Sequence, residues 1–371
     1  MVVQSLDRSP GEVRRVVEVD CRTDPRWEAF VASHPDGSIY QHPAWLEVLE
    51  RAYGYRPINL ACEDEQGRLR GVLPLCRTRG LVTGRGLASL PRTPLAGPLA
   101  ADRDAAARLL RAAIERLEGE PGARLLLKVP SGRLDGLADG LAGAAWELTY
   151  VLDLPAQPDR LHFGNSRNHA RIKWAVGKAA RLGVRVRCAE TEAELRAWYR
   201  LYLETMRWHV VPPRPYRFFR AAWDLLRPRG LMRLLLAEQH EAGRSRLLAG
   251  SILLMFGQTV FYAFNGRRSD DLSLRPNDAI QWQAIHDAGR EGFRRYDFGA
   301  VLAENNGLAD FKAKWGAEPA WVDKYLYPAP PVVAQEGTPG GGGARRLANR
   351  VWRRLPLGAT AHLGDWVFSY L

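Results

Sequence analysis

The chain has 371 residues, 46% of them hydrophobic and 25% charged, which is the composition of a globular protein long enough for two domains. Its four cysteines show no CxxC spacing, which argues against a zinc ribbon or a secreted disulfide framework and favours a reducing compartment. The formal net charge of +12 suggests an anionic partner, such as nucleic acid, phospholipid or a phosphorylated substrate, although a basic composition also serves solubility alone.

No segment of the sequence has the pattern of a signal peptide or a membrane span. The first thirty residues carry Asp, Glu and Arg and lack an apolar run. The most apolar stretch, residues 247–264, is interrupted by a predicted turn at Gly257-Gln258. It therefore predicts a β-hairpin of two buried strands and not a transmembrane helix, which needs about twenty apolar residues. We expect a soluble, cytoplasmic protein.

The first half of the chain predicts a mixture of helices and strands. Helices are expected at residues 25–33, 45–53 and 103–117. Strands are expected at residues 58–63, 69–77, 125–129 and 146–154. A Gly- and Pro-rich connection covers residues 80–98.

The second half repeats this mixture. Ser166 is expected to cap a helix at residues 167–181, and residues 191–194 form a capping box before a helix that runs to residue 207. Asn277 is predicted to cap a helix at residues 278–291. The other predicted elements are a helix at 216–226 and strands at 184–188, 232–239, 247–255, 259–265 and 295–298.

Two segments of the chain echo each other. Residues 60–68 and 236–244 both have the pattern of a strand and an acidic turn that ends in Gly-Arg, and a buried strand follows each. Their matching places in the two halves predict a duplicated unit. We therefore expect an α/β fold with two tandem domains, residues 1–158 and 159–327, each with a mixed sheet flanked by helices.

The composition changes after Tyr327. Residues 328–343 have the pattern of a Pro/Gly-rich linker, and residues 344–371 form a basic tail with five arginines. In this tail, Leu347, Val351 and Leu355 share one helical face. Such a segment predicts peripheral contact with an anionic membrane surface, and a helix that packs back on the protein is the alternative.

Several segments together resemble the Fem-type branch of the GNAT acetyltransferase superfamily, the peptidoglycan bridge-forming family, over residues 38–327. The segments are Tyr40-Gln41-His42-Pro43-Ala44-Trp45-Leu46, Arg275-Pro276-Asn277, Tyr296-Asp297-Phe298-Gly299, Asn306-Gly307-Leu308 and Phe311-Lys312-Ala313-Lys314-Trp315-Gly316. The resemblance implies a pair of GNAT-like domains. The best-known members of the family move an amino acid from aminoacyl-tRNA to the amine of a lipid-linked peptidoglycan precursor.

One motif of ordinary acetyl-CoA enzymes in this superfamily is missing. Those enzymes carry Gln/Arg-x-x-Gly-x-Gly/Ala between a strand and a helix, where backbone N–H groups hold a pyrophosphate. The corresponding stretch, residues 266–277, lacks this motif. The glycine cluster at residues 79–86 has Leu81 in place of the Gln or Arg, and no predicted helix follows it. The missing loop favours a donor other than simple acetyl-CoA.

Lysine is rare in this chain, with six against 47 arginines, so Lys312 and Lys314 within one hexapeptide stand out. By the resemblance, Lys312 matches the lysine that family members place near the donor's ester and terminal phosphates. A compact ammonium also suits a developing oxyanion. We predict Lys312 as catalytic, Asp297 as the carboxylate that accepts the amine's proton, and Lys314 as a donor contact. The alternatives are solvated loop lysines and a turn-forming aspartate.

One predicted helix carries a basic stripe with a single aromatic residue, formed by Arg167, Arg171, Trp174, Lys178 and Arg181. Ile172, Val176 and Ala179 lie on another face and are expected to pack inward. The stripe suits an RNA backbone and a stacked terminal base, so we predict a donor site there, with Asn277 near a further anion contact. A solvated outer face is the alternative.

Acceptor contacts are expected from two other places. His42 and Trp45 either line an acceptor pocket or form a satisfied structural pair, and Asn305 and Asn306 offer substrate hydrogen bonds from a loop. Acyl transfer to an amine requires no metal, and no His, Cys and Asp cluster with ligand spacing is present in the sequence. We therefore expect no cofactor besides the donor substrate.

Three functions remain open at this point. The first is aminoacyl transfer from tRNA to an amine of a cell-envelope precursor or other small acceptor. The second is an acyl-CoA-dependent N-acyltransferase of the GNAT superfamily, and the third is a non-catalytic module that binds nucleic acid or membrane. The missing phosphate loop favours the first function over the second, and the Lys312 segment argues against the third.

Overall fold

A computed structural model of the chain describes residues 14–55, 57–80, 84–157, 160–241, 244–301, 306–330 and 349–370. The first half contains, in chain order, β1 (Arg15–Glu18), α1 (Pro25–Ser33), α2 (Pro43–Tyr53), β2 (Pro57–Glu63), β3 (Leu69–Gly80), β4 (Gly84–Ala88), β5 (Leu99–Ala100), α3 (Arg103–Glu115), β6 (Arg124–Pro130) and β7 (Ala142–Asp153). Strand β4 lies within the segment that the sequence predicted as a connection, and β5 directly follows that segment.

Local residues set the bounds of these elements, as α2 shows. The His42 imidazole accepts a hydrogen bond from the backbone N–H of Ala44, and Pro43 occupies the first turn. Gly54 ends the helix in the left-handed conformation at φ 67°, which glycine adopts without a steric cost.

The second half contains α4 (Ser166–Arg181), β8 (Val184–Cys188), α5 (Glu192–His209), α6 (Tyr216–Leu226), β9 (Met232–Glu241), β10 (Arg244–Phe256), β11 (Thr259–Arg267), α7 (Pro276–Arg290), β12 (Arg295–Val301), α8 (Asn306–Lys314), β13 (Glu318–Tyr327) and α9 (Leu357–Tyr370). The capping box before α5 is confirmed. Two other predicted caps are wrong. Asn165 caps α4 in place of Ser166, and α7 begins at Pro276, so Asn277 lies inside its first turn.

The named strands join one mixed sheet in the order β1-β2-β3-β4-β6-β13-β7-β12-β11-β10-β9-β8, with β5 beside β3. The prediction of two separate sheets is therefore wrong. The reason is that the last strands of the two halves pair with each other: β7 and β13 are antiparallel, with Trp321 opposite Leu148. In addition, β7 pairs with β12, and β13 pairs with β6. Each half thus completes its sheet with a strand of the other.

The strand order is symmetric about the β13–β7 pair. On each side lies one parallel pair, β4 with β6 and β11 with β12, followed by antiparallel strands. Helix α3 or α7 connects the members of each parallel pair. The echoing sequence segments form β2–β3 and β9–β10, which hold matching positions in this order. The α/β class and the tandem arrangement agree with the sequence, while the predicted boundary at residue 158 lies outside the described residues.

Helices of both halves share one hydrophobic core. Helices α2 and α6 contact each other, and the rings of Trp45 and Phe218 meet edge to face at 5.8 Å. The apolar stretch at residues 247–264 forms the hairpin β10–β11, as predicted. Among the described residues, no helix is long and apolar enough to cross a membrane.

The C-terminal segment packs on α5. Residues 349–354 are helical and precede α9. Arg207 of α5 donates a hydrogen bond to the Leu355 carbonyl at 3.0 Å, and Arg353 donates one to the Trp208 carbonyl at 3.2 Å. The tail therefore packs back on the protein from residue 349 onward, whereas Leu347 lies outside the described residues.

Candidate active site

A cavity of about 1050 Å³ lies where the two halves of the sheet meet. Its walls include Lys128 of β6, Glu147 of β7, Asp297 of β12 and Lys312 of α8. Because β6, β13, β7 and β12 are consecutive in the sheet, residues from distant parts of the chain reach this one cavity.

Lys312 is a buried cation on the cavity wall, with only 3% of its surface exposed. Its Nζ donates hydrogen bonds to the carbonyls of Gly299 at 2.6 Å and Ala300 at 3.1 Å. Burial lowers the pKa of Lys312 to about 8, although the charges of Asp297 and Glu147 oppose that shift. An ammonium has three donors, so the two bonds to described residues leave one for a substrate oxygen.

Asp297 lies on the same wall and is fixed by two hydrogen bonds. Its Oδ1 accepts from Thr149 Oγ1 at 2.6 Å and from the backbone N–H of Gly299 at 2.7 Å. Burial raises the pKa of Asp297, while these two hydrogen bonds and the charge of Lys312 oppose that shift. The structure thus brings the predicted lysine and carboxylate together in one cavity.

Sequence reasoning missed three residues of this wall: Lys128, Trp146 and Glu147. Lys128 is buried, and its Nζ donates a hydrogen bond to the Thr93 carbonyl at 2.7 Å. Burial raises the pKa of Glu147, and the charges of Lys128 and two other lysines oppose that increase. The rarity of lysine, which drew attention to Lys312, is a signal that also applies to Lys128.

A second cavity of about 680 Å³ lies between α4 and α8. Arg171, Trp174, Arg275 and Lys314 contribute to its wall. Trp174 is 55% exposed, and the cationic groups of Lys178 and Arg275 lie 5.5 and 5.7 Å from its ring. Cations and an open aromatic face form a surface suited to a phosphate and a stacked base.

Only part of the basic stripe lines the second cavity. Arg171 and Trp174 line the second cavity, whereas Arg167, Lys178 and Arg181 do not. On the opposite face Ile172 and Ala179 are buried, and Val176 packs against the same core, as predicted. Lys314 forms an ion pair with Asp278 at 2.7 Å in addition to lining the cavity.

The predicted acceptor contacts take different positions. Trp45 lines the large cavity and donates a hydrogen bond to Thr93 Oγ1 at 3.3 Å, while His42 lines neither cavity and caps α2. Asn277 lines the large cavity from the first turn of α7. Asn305 lies outside the described residues, and Asn306 begins α8.

The loop between β11 and α7 contains no glycine over residues 268–275. Arg275 adopts the left-handed conformation there, at φ 61°. The glycines at positions 80 and 84 instead face each other in the β3–β4 hairpin, with residues 81–83 outside the described part. Within the described ranges, no group of three or more His, Cys, Asp or Glu side chains could hold a metal ion.

Known proteins resemble this chain in sequence. The family model described as an acetyltransferase (GNAT) domain matches residues 165–313. The chain is 25% identical over 305 residues to the UDP-N-acetylmuramoylpentapeptide-lysine N(6)-alanyltransferase of Weissella viridescens, over 76% of this chain and 84% of that protein.

Two solved structures share the fold. The crystal structure of FemX matches with a TM-score of 0.66 at 18% identity, over 84% of this chain and 97% of that one. The C-terminal domain of a putative lysylphosphatidylglycerol synthetase from Agrobacterium fabrum matches with a TM-score of 0.52 at 13% identity, over 82% and 91% of the two chains. The chain is therefore an acyltransferase with a GNAT domain. Its similarity to the Weissella viridescens alanyltransferase agrees with the Fem-type resemblance of its motifs.

Proposed function

We propose that this enzyme transfers an aminoacyl group from aminoacyl-tRNA to an amine of a cell-envelope precursor. The observation that carries this proposal is the placement of Lys312 and Asp297 on one wall of the large cavity. The name of the Weissella viridescens relative specifies alanyl transfer to N6 of lysine in a UDP-N-acetylmuramoylpentapeptide, which supports the same reaction class here.

The reaction exchanges an ester for an amide. The acceptor amine loses a proton to Asp297 and attacks the acyl carbon, so that a C–N bond forms. The ester C–O bond breaks, and the leaving oxygen of the terminal ribose takes up the proton that Asp297 accepted. Lys312 stabilises the negative charge that develops on the carbonyl oxygen, because its ammonium is already fixed by two backbone carbonyls.

The second cavity supports a nucleic-acid donor. Arg171 and Lys314 offer positive charge to phosphate, and Trp174 offers an exposed ring to the terminal base. An acyl-CoA donor is the alternative that the sequence left open. The loop before α7 lacks the glycines that hold a CoA pyrophosphate, which favours tRNA.

We also propose that the tail touches the inner face of the cytoplasmic membrane, where a lipid-linked acceptor is found. Although the tail packs on α5, its Val351, Leu363 and Trp366 side chains stay exposed, the last by 60%. Arg350, Arg353 and Arg354 are close to Val351 in the sequence and are exposed too. Apolar side chains next to basic ones suit an anionic lipid surface.

The deciding assay supplies two donors in parallel. The purified full chain is incubated with UDP-N-acetylmuramoyl-pentapeptide and either tRNA charged with labelled alanine or labelled acetyl-CoA. We expect label on the lysine side-chain amine only with charged tRNA, detected by mass spectrometry. Label from acetyl-CoA alone would support the alternative donor, and label from neither would count against this acceptor.

A further inference from the structure

Two lysines lie directly opposite each other beside the large cavity. Lys128 of β6 and Lys324 of β13 are partners in the antiparallel register. Like charges directly opposite on neighbouring strands destabilise a sheet. In the described part of the chain, no carboxylate oxygen lies within 4 Å of the Nζ atom of Lys128 or Lys324. Neither lysine therefore forms an ion pair there. This pair of like charges lowers the stability of the sheet. Its presence therefore indicates a role other than stabilising the fold.

An aromatic ring joins the two ammonium groups. The Nζ atoms of Lys128 and Lys324 lie 5.0 and 5.6 Å from the centre of the Trp146 ring. Lys128 is 8% exposed, and only the carbonyl of Thr93, at 2.7 Å, accepts a hydrogen bond from it within the described residues. Two of its three donors therefore stay available on a cavity wall. A buried cation without a counter-ion is costly unless a ligand supplies the charge.

Glu147 links this pair to the catalytic lysine. The charges of Lys128, Lys324 and Lys312 all act on its carboxylate. Glu147 lines the cavity next to Trp146 in β7, and its carboxylate accepts no hydrogen bond from the described residues. A positively charged amine beside Glu147 would thus have the Lys128 pair and Lys312 as its neighbours.

We propose that Lys128, Lys324 and Trp146 form an oxyanion subsite that holds a carboxylate or phosphate group of the acceptor, with the acceptor's amine between Glu147 and Asp297, which line the same cavity. The role given to the amine rests on the proposed function. The substrate class is therefore zwitterionic: an amine that carries its own oxyanion. An amine that carries no oxyanion would leave the positive charges of Lys128 and Lys324 uncompensated. The site rejects such an amine for that reason.

The test measures how strongly a bound probe protects each lysine from chemical acetylation, with no tRNA or CoA donor present. The full chain is trace-labelled with acetic anhydride, and the modification of each lysine is read by mass spectrometry. Two matched pairs of probes are compared: L-lysine with cadaverine, and phosphoethanolamine with ethanolamine. The members of each pair differ only in the carboxylate or phosphate. Lys173, which is exposed and lines neither cavity, is the internal reference.

We expect the oxyanion-bearing member of at least one pair to protect Lys128 and Lys324 at about tenfold lower concentration than its partner without the oxyanion, a difference of about 1.4 kcal/mol. Protection by L-lysine alone identifies a carboxylate, by phosphoethanolamine alone a phosphate, and by both a site for either oxyanion. Equal protection within both pairs, or none by any probe, would overturn the subsite.

Variants separate a binding role from a structural one. Lys128→Met should abolish the protection of Lys324 without lowering the melting temperature, because it removes a buried charge that forms no ion pair with a described carboxylate. Lys173→Met should change neither measurement, with Lys178, which also lines neither cavity, as the reference in this variant. A lower melting temperature with unchanged protection of Lys324 would show that Lys128 serves the fold alone. Because no donor is present, these results are independent of whether transfer from tRNA succeeds.

Discussion

Asp297 and Lys312 are joined through a single residue, Gly299. The backbone N–H of Gly299 donates to Asp297 Oδ1 at 2.7 Å, and its carbonyl accepts from Lys312 Nζ at 2.6 Å. Gly299 has a φ of 76°, a conformation that glycine adopts at no steric cost. One turn of backbone at β12 therefore fixes the relative positions of the proposed proton acceptor and the proposed oxyanion stabiliser.

Replacing Lys312 should separate catalysis from folding. Lys312→Ala removes a positioned charge, and we expect a loss of about 3–4 kcal/mol in transition-state stabilisation, or at least a hundredfold in rate. Lys312→Arg should restore only part of it, because the planar guanidinium places its charge differently. Single-turnover transfer with saturating donor measures the loss, and thermal melts check folding. The matched control is Lys173→Ala. Near-normal turnover of Lys312→Ala would refute the assignment.

The pH dependence follows from the burial of Lys312. Because burial lowers its pKa to about 8, the ammonium loses its charge as the pH rises above that value. We expect the single-turnover rate at saturating substrates to fall above about pH 8. In Lys312→Arg this fall should disappear, since a guanidinium stays charged. If the rate of Lys312→Arg still fell at alkaline pH, the fall would be due to the titration of another group.

The contribution of the buried lysines to stability should rise over the pH range in which the rate falls. An unfolded lysine titrates near 10.5, whereas Lys312 and Lys128 titrate near 8 in the folded chain. Between these values the unfolded chain binds more protons, so the contribution of these groups to the free energy of unfolding rises with pH. Below about pH 8 both states are protonated, and the cost of the buried charges is fully present. Denaturant melts of the wild type and Lys128→Met across this range test the sign.

Trp174 should matter for the donor and not for chemistry. Stacking of a base on an aromatic ring contributes about 1–3 kcal/mol, so Trp174→Ala should weaken aminoacyl-tRNA binding by roughly tenfold or more. The single-turnover rate at saturating donor should stay unchanged. Trp321→Ala is the control, because Trp321 is 47% exposed and lines neither cavity. Filter binding at several salt concentrations gives the affinities. Equal losses of tRNA affinity in Trp174→Ala and Trp321→Ala would exclude a specific stacking role of Trp174.

The tail should contribute to membrane binding. Each basic residue near an anionic surface adds about 1 kcal/mol, so truncation before residue 344 should reduce co-sedimentation with anionic vesicles at low salt. Because α9 packs on α5, truncation also exposes protein surface. The double variant Leu363→Ala, Trp366→Ala keeps the helix and removes its exposed apolar groups. Unchanged sedimentation of both forms would count against membrane contact.

Local sequence patterns determined much of the molecule. The capping box before α5, the hairpin β10–β11 and the echo between β2–β3 and β9–β10 all depend on residues close together in the chain. The resemblance to the Fem-type family was also evident from short motifs, including the one that contains Lys312. Such signals can be read without a structure because helix periodicity, capping and turn formation act over a few residues.

The tertiary structure alone decided how the halves join and which side chains meet. The exchange of β7 and β13 merged two expected sheets into one, and it placed Thr149 and Asp297, 148 residues apart, within hydrogen-bonding distance. The same pairing set Lys128 opposite Lys324 and brought Glu147 to the cavity of Lys312. The alternation of a strand specifies which residues share a face, but not which distant strand becomes its neighbour. That choice depends on packing across the whole sheet, so only the folded chain shows the complete site.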